Sequence, residues 1–368
     1  MQKRQFKDTE KQVSILGMGG MRFPTLENGE IDVKNAEAII DYAYSLGVNY
    51  YDTAYMYHGG KSEEFMATAL RKYPRESYFL TDKMPIWMTE TPEDVPKVFN
   101  NQLERCGVDY FDFYLCHALN KADFEKFKEY GAIDFLFEKK KEGKIRNIGF
   151  SFHDAPEVLD EILSAYSWDV CQLQLNYLDW EHQRAKEQYE VCKKHGVQVI
   201  VMEPVRGGAL ADLGEKGNKC LKTVNPDKSI ASWAIRFAME KENVLTVLSG
   251  MSTLEQVRDN AETASGELTL SYVENEAIKN AVTEYRKSKQ IPCTACNYCD
   301  GCPVGIDIRS IFKAYNKDAF SWSKDNLKAE YKKNEADKCI RCGKCKRVCP
   351  QGIDIPKELE EINKGMSH

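Results

Sequence analysis

Two runs of cysteine carry the densest chemistry in this sequence. The first is Cys293-x2-Cys296-x2-Cys299-x2-Cys302-Pro303, and the second is Cys339-x2-Cys342-x2-Cys345-x3-Cys349-Pro350. Paired C-x2-C motifs suit zinc. Three closely spaced cysteines followed by a more distant Cys-Pro favour cubane iron–sulfur clusters instead, which pass electrons one at a time. "CPVGIDI" at Cys302 recurs as "CPQGIDI" at Cys349, and duplication of one cysteine module is the simplest origin. The remaining five cysteines (Cys106, Cys116, Cys171, Cys192 and Cys220) are scattered and read as small hydrophobes. Disulfides are not expected in a chain without a signal sequence.

A second set of reactive groups lies far upstream. "YYDTAYMYHGGKSEE" carries Asp52 and Tyr57, "FLTDKMP" carries Lys83, and "FYLCHA" carries His117. Each alone has an ordinary role, as a cap, a packed ring, a surface charge or a core histidine. Each, however, closes or follows a short β-rich run, so one architecture would turn all four toward a common face.

That architecture is legible in the alternation of the chain. The strand candidates are "SILGMG", "NYYDTA", "YFLTDKM", "FDFYLCH", "RNIGFS", "VCQLQLN", "VQVIVME" and "VLTVLSG". Amphipathic segments such as "VKNAEAIIDYAYSLG" and "EDVPKVFNNQLERCG" separate them, with apolar residues at helical spacing and Gly at several ends. Eight strand–helix units predict a parallel (β/α)8 barrel. An open doubly wound sheet would typically begin with G-x-G-x-x-G, which "GMGGMRFP" fits poorly. In such a barrel catalytic groups gather where the strands end. Past the helical "SYVENEAIKNAVTEYRKSK" the composition changes at "QIPC". The expected division is therefore a barrel over residues 1–285 and a small α-rich iron–sulfur domain over 286–368. "AFSWSKDNLKAEYKKNEAD" between the cysteine runs reads as helix and solvated loop.

Composition narrows the partners. The chain has 368 residues and a formal charge of −6, which gives no electrostatic reason to expect nucleic acid or an anionic membrane. "MQKRQFKDTEKQVSILG" lacks the apolar core of a secretory signal, and no run approaches the ~18 apolar residues of a membrane span. A soluble, cytoplasmic protein is expected.

From "LGMGGMRFP" to "VRDNAE" the sequence resembles the aldo-keto reductases. "DTAYMYHGGKSEE" is similar to their "DTAxxYGxSE" signature, and "GKIRNIGFS" to the stretch entering their sixth strand. The resemblance places the family's catalytic tetrad on Asp52, Tyr57, Lys83 and His117, and implies a small carbonyl or alcohol substrate with NADPH or NADH. The chemistry is consistent with physical expectation. Hydride addition to a carbonyl leaves an alkoxide that needs a proton, and an ordinary tyrosine, with a pKa of about 10, gives one up reluctantly at neutral pH. Lys83 is expected to lower that pKa while Asp52 holds the lysine, and a neutral His117 to orient the carbonyl oxygen.

The same resemblance assigns the cofactor contacts. Ser151 and Gln172 should bind the nicotinamide carboxamide, although the family's usual Asn beside that serine is Phe152. Met202 stands where an aromatic ring often stacks. Gly19, Gly20, Met21 and Arg22 should approach from the first βα-loop. Gly207 and Gly208 should admit the pyrophosphate, with Arg206 adding charge and Pro204 and Val205 beside them. Near the adenosine, Gly250 and Gln256 replace the Lys and Arg with which many members clamp a 2′-phosphate. Met251, Ser252, Asp259 and Asn260 complete that end, and Arg258 reads as a surface charge. Trp87, Tyr55 and Met21 are candidate pocket walls.

The cysteine runs are similar to two-cluster ferredoxins, which implies crossed ligation. Cys293, Cys296, Cys299 and Cys349 would hold one [4Fe–4S] cluster, and Cys339, Cys342, Cys345 and Cys302 the other. Three roles are open to this module: a structural lid, a docking point for a ferredoxin- or flavodoxin-type redox partner, and a direct electron supply to substrate. The rivals to nicotinamide-driven carbonyl reduction are an iron–sulfur-fed reductase and a non-catalytic electron carrier or redox sensor.

Overall fold

The eight β-rich runs form eight short parallel strands that pair side by side until the last meets the first, leaving the sheet with no open edge. In the computed structural model they are β3 (Leu16–Gly19), β4 (Tyr50–Asp52), β5 (Phe79–Met84), β6 (Phe111–Leu119), β7 (Ile145–Phe152), β8 (Val170–Gln174), β9 (Gln198–Met202) and β10 (Val244–Ser249). The closed order is β10-β3-β4-β5-β6-β7-β8-β9. The structure describes residues 1–7, 12–288, 290–321 and 324–366. Part of the N-terminal reading, the last residue of the "KSK" before the cysteines and the last two of the "SWS" between them thus fall outside the described residues.

Strands buried on both faces should be continuously apolar rather than alternating, and β5, β8 and β10 are buried at every residue. Closure demands small residues where strands crowd. A Cβ on Gly149 would stand 2.3 Å from the Val170 carbonyl oxygen, so only glycine fits between β7 and β8 there.

An antiparallel hairpin, β1 (Lys3–Gln5) and β2 (Gln12–Ser14), precedes the barrel. Its Phe6 and Val13 join Tyr50, Phe79, Phe113, Leu115, Val170, Ile200, Leu245 and Leu248 in one buried cluster. The hairpin therefore extends the core, and three-residue strands are too short for their alternation to be read from sequence.

Contacts divide the chain into two compact units. The barrel unit is Met1–Pro204 with Ser232–Leu270, and the second is Val205–Ala231 with Ser271–His368. Composition marks where the cysteine segment starts; compactness assigns to its unit two earlier pieces as well. Within this second unit the helices Gly214–Val224 and Tyr272–Arg286 pack together. Ser271 starts the latter with a reciprocal capping box to Glu274, which satisfies two otherwise orphaned N–H groups. Gly207, at φ +64°, would place a Cβ only 2.2 Å from the Thr294 carbonyl oxygen. Its glycine is thus already required by the chain that leads into the first cysteine run.

The rest of the second unit is a two-fold repeat in its backbone. Helices Ile308–Ser321 and Ile355–Met366 each follow a "GIDI" segment. Gly305 and Gly352 both have positive φ and donate to the Cys302 and Cys349 carbonyls respectively. Ile306, Ile308, Ile353 and Ile355 meet in one core with Ile311, Phe312, Leu359 and Ile362, and six of the eight module cysteines (Cys293, Cys299, Cys302, Cys339, Cys345 and Cys349) pack against it. No helix among the described residues is long and apolar enough to cross a membrane.

Candidate active site and cysteine centres

Asp52 ends β4, Lys83 lies at the end of β5 and His117 near the end of β6, so three neighbouring strands present them at one rim. Tyr57 follows in the turn after β4. The Lys83 ammonium donates to Asp52 Oδ1 at 2.6 Å, to the Thr53 carbonyl at 2.7 Å and to Tyr57 Oη at 3.3 Å. Lys83 is wholly buried, and Asp52 and His117 are nearly so. A buried ammonium needs this saturation, because an unpaired one would lose its proton. Asp52 is held from the other side by Gln172, whose amide donates to Oδ2 at 3.1 Å. The rings of Tyr57 and His117 meet edge to face at 6.1 Å, and Trp87 packs on His117 at 4.9 Å.

The electrostatics correct one expectation. Lys83 was expected to draw the Tyr57 phenol down. Burial instead pushes it well above the ordinary tyrosine value, with Asp52 and Glu203 adding to the rise and Arg22 opposing it. The physical reason is burial first, which disfavours a tyrosinate, and then the Asp52 carboxylate, which Lys83 pairs at 2.6 Å. His117 is driven well below its usual range by burial first, then by the charge of Lys83 and by His153. It is neutral at physiological pH, as expected for a hydrogen-bond donor to a carbonyl oxygen.

The sequence reading missed the polar layer behind the tetrad. Asp82, beside Lys83 on β5, and Glu63, in the helix Ser62–Leu70, are completely buried. Gln102 donates to Glu63 Oε1 at 2.9 Å and to the Lys83 carbonyl at 3.0 Å, Tyr114 donates to Gln102, and Arg105 pairs with Glu63 at 2.9 Å. Burial and then the neighbouring Glu63 push the Asp82 carboxyl well above the usual carboxylate range. This ties the helix that follows the Tyr57 turn to the strand that carries Lys83. The only sequence signal was the pair of acids in "DK" and "SEE" placed inside otherwise apolar elements.

Glu203 was also missed. It follows β9 with φ +53°, a conformation that costs a non-glycine residue free energy and concentrates at functional sites. It accepts from Arg22 at 2.7 Å, and both charges act on Tyr57.

The expected cofactor residues are placed as follows. Ser151, nearly fully buried, accepts the Ala118 N–H at 2.7 Å, at a point where Ala118 has positive φ and the β6–β7 register shifts. Such an irregularity re-aims the strand end beside His117. Met202 ends β9. Gly20 packs on the Asp52 carbonyl, and a Cβ on Gly250 would strike the Arg22 side chain at 2.9 Å. The Ser252 hydroxyl donates to the Arg22 carbonyl and its backbone N–H to Gln256 Oε1, while Asn260 donates to Ser249. Met251 is buried. Val205, Arg206, Gly207 and Gly208 belong to the second unit, whereas Gly19, Met21, Pro204 and Asp259 belong to the barrel unit. Tyr55 lies against the Arg105 guanidinium at 4.8 Å.

The two cysteine runs share a backbone. Ala295 and Arg341 precede the second cysteine of each run and Asn297 and Gly343 follow it, and all four have positive φ. The chain thus coils around its thiols, and the Ala295 N–H donates to Cys293 Sγ at 3.4 Å. Cys299 has Cys296, Cys293 and Cys349 as charge neighbours, and burial with these thiols pushes it up to about 12. Cys345 has Cys339 and Cys342. One cavity is bordered by Cys299, Cys302, Cys339, Cys342 and Cys345. Cys349 therefore stands near the first trio, and Cys302 and Cys299 both border the cavity lined by the second. Among the described residues no three His, Cys, Asp or Glu side chains converge on a point as a lone ion requires. A cavity walled by five thiols fits a cluster, whose iron would take the thiolates that burial disfavours.

Residues 15–282 match the aldo/keto reductase family and residues 292–354 a 4Fe-4S dicluster domain. The chain belongs to the aldo/keto reductase family and carries an added 4Fe-4S domain. It is similar to an uncharacterized oxidoreductase, YqkF, of Bacillus subtilis, 25% identical over 72% of this chain and 92% of the relative. It is also similar to the NADH-specific methylglyoxal reductase of Escherichia coli, 28% identical over 63% of this chain and 83% of that enzyme. Among solved structures, the holo form of aldo-keto reductase AKR11C1 from Bacillus halodurans superposes with a TM-score of 0.63. It is 28% identical, over 76% of this chain and 96% of that one. The closed barrel and the oxidoreductase class are thereby established.

Proposed function

We propose that the chain catalyses the reversible reduction of a small ketone or aldehyde to an alcohol with NADH or NADPH. The observation that carries this reading is the buried Lys83 ammonium joining Asp52 at 2.6 Å to Tyr57 at 3.3 Å. When bound, the nicotinamide supplies hydride. Tyr57 gives its phenolic proton to the oxygen of the substrate. The tyrosinate so formed faces Lys83 3.3 Å away, which holds the new charge until the proton returns. Neutral His117 donates a hydrogen bond that fixes the carbonyl oxygen. The Ser151 hydroxyl and the Gln172 amide, buried at the same rim, have the donor and acceptor chemistry to hold a carboxamide, and Met202 can cover its ring.

Tyr57→Phe removes the proton and keeps the ring. Turnover should fall by at least ~10², the usual scale for a general acid, with cofactor affinity retained. Near-normal turnover would overturn the assignment. NADPH should have no large advantage over NADH, since Gly250 and Gln256 replace the clamp whose charge-assisted bonds are worth about 1.5–3 kcal/mol each. The NADH-specific relative supports this. Dissociation constants for both cofactors decide it, and a hundredfold preference for NADPH would contradict it.

Cys293, Cys296, Cys299 and Cys349 would hold one [4Fe–4S] cluster, and Cys302, Cys339, Cys342 and Cys345 a second. The exposure of Cys342 favours an electron-carrying module over a purely structural one. It also supports a second reading, in which these clusters rather than nicotinamide feed a reduction.

A further inference from the structure

We propose that the surface around Cys342 is a docking face for an acidic one-electron carrier protein, an inference that rests on the cluster reading of the eight cysteines. Of those eight, Cys342 alone is exposed, while the others are half-buried. Two large aliphatic side chains flank it without cover: Ile340 is 61% exposed and Val348 44%. Both border the same thiol-walled cavity as Cys342, together with Arg341 and Lys344. An apolar contact centred on an exposed cluster ligand is what a transient electron-transfer interface needs, since such interfaces are small and must release quickly.

The charge around this centre selects the partner. Lys338, Arg341, Lys344, Lys346 and Arg347 fall between Asp337 and Asp354 with no acidic residue among them. Lys338 pairs with Glu335, Arg341 with Glu360 and Lys346 with Asp354. These are exposed pairs that hold little energy and can be exchanged for a partner's carboxylates. Lys344 donates to the Gly301 carbonyl and Arg347 to the Cys342 carbonyl, and neither oxygen cancels their charge. The bias extends to the whole tail. Residues 290–368 hold 14 Lys and Arg against 11 Asp and Glu, a net charge of +3 in a chain of −6. At the cavity itself Arg341 and Lys344 stand with one carboxylate, Asp300, which Arg309 pairs at 3.2 Å, and a net basic margin beside an apolar centre steers an acidic partner and sets its orientation. The event itself is simple in balance: the reduced carrier loses one electron and the module gains it, and no bond is made or broken.

The test uses the full-length, iron-loaded chain and reduced bacterial flavodoxin, a small acidic flavoprotein, as probe. Association is measured by calorimetry, and electron transfer by stopped-flow absorbance, at low and high ionic strength. The wild-type chain should bind flavodoxin and oxidise it, with a second-order rate that falls as salt rises. Lys344→Glu with Arg347→Glu should weaken association at least about tenfold. Ile340→Gln should weaken it without altering the salt dependence. Iron content, the electron paramagnetic resonance of the reduced protein and carbonyl turnover with NAD(P)H should not change in these variants. Absence of flavodoxin binding at low salt would overturn the proposal. So would charge reversal that leaves association intact but shifts the reduction potential, since the cations would then tune the cluster instead. Equal binding of the wild type to phosphatidylglycerol vesicles, lost on charge reversal, would assign the face to a lipid surface and overturn it too. A chain purified anaerobically without iron would overturn the cluster reading itself, an outcome distinguishable from all the others.

Discussion

Tyr57 lies among charged side chains that include Asp52, Lys83, Glu203 and Arg22, and on the proposed function this setting favours one direction of the reaction. Burial and Asp52 push the phenol well up, and Lys83 is spent on Asp52. A phenol that holds its proton is still a competent donor to an alkoxide, which is far more basic. It is a poor source of tyrosinate, the form that must accept a proton when an alcohol is oxidised. Carbonyl reduction should therefore be nearly flat from neutral to mildly alkaline pH, because Tyr57 stays protonated and His117, driven well down, stays neutral. Alcohol oxidation should climb steadily with pH over the same range. Rates measured in both directions against pH check this, and an oxidation rate that levels off near neutral pH would show the phenol to be lowered after all. At this scale the gathering of Asp52, Tyr57, Lys83 and His117 at one rim was legible because their positions follow the strand ends. The sign of the Tyr57 shift was not, because it depends first on a burial that only the fold creates.

Among the elements, the eight strands and most helices announce themselves by period and by terminal glycine. Gly107, for example, caps the helix Asp94–Cys106 in the left-handed conformation. What stays hidden is which glycine serves a turn and which serves a contact. Gly207 and Gly208 are adjacent, both have positive φ, and both were read as room for a pyrophosphate. In the structure Gly208 has nothing near its missing Cβ, whereas Gly207 lies against the Thr294 backbone. Gly208→Ala should cost only the backbone strain, about 1–2 kcal/mol. Gly207→Ala adds a 2.2 Å clash with backbone, which overpacking data place at about 1–3 kcal/mol more. Thermal denaturation of the two variants checks the difference, and equal midpoints would mean that Thr294 yields freely. Asp82 and Glu63 illustrate the opposite limit of sequence reasoning. Acids inside apolar elements look like surface positions until their partners, Gln102 and Arg105, are brought in from another helix.

For the whole molecule, the cysteines couple folding to iron. Anaerobically purified protein should contain about eight irons per chain if both sites are filled. Cys349→Ala should damage the centre that holds Cys293, Cys296 and Cys299, since it stands beside them despite its distance in sequence. Losing that ligand should also lower the stability of the small isoleucine core, because metal binding and folding are linked in such modules. Iron analysis with calorimetry tests this, and full iron content in the variant would refute the crossed arrangement. The interleaving of the two compact units has a consequence for synthesis. The chain commits Val205–Ala231 to the second unit, returns to the barrel for Ser232–Leu270, and only then supplies Ser271 onward. On a ribosome adding about 5–20 residues per second, that early piece waits seconds for the helix that will cover it. Leu213 and Leu221, buried in the finished protein, are exposed throughout the wait. A nascent-chain chaperone would find an apolar target there, and the iron sites could be completed only once Cys349 has left the ribosome.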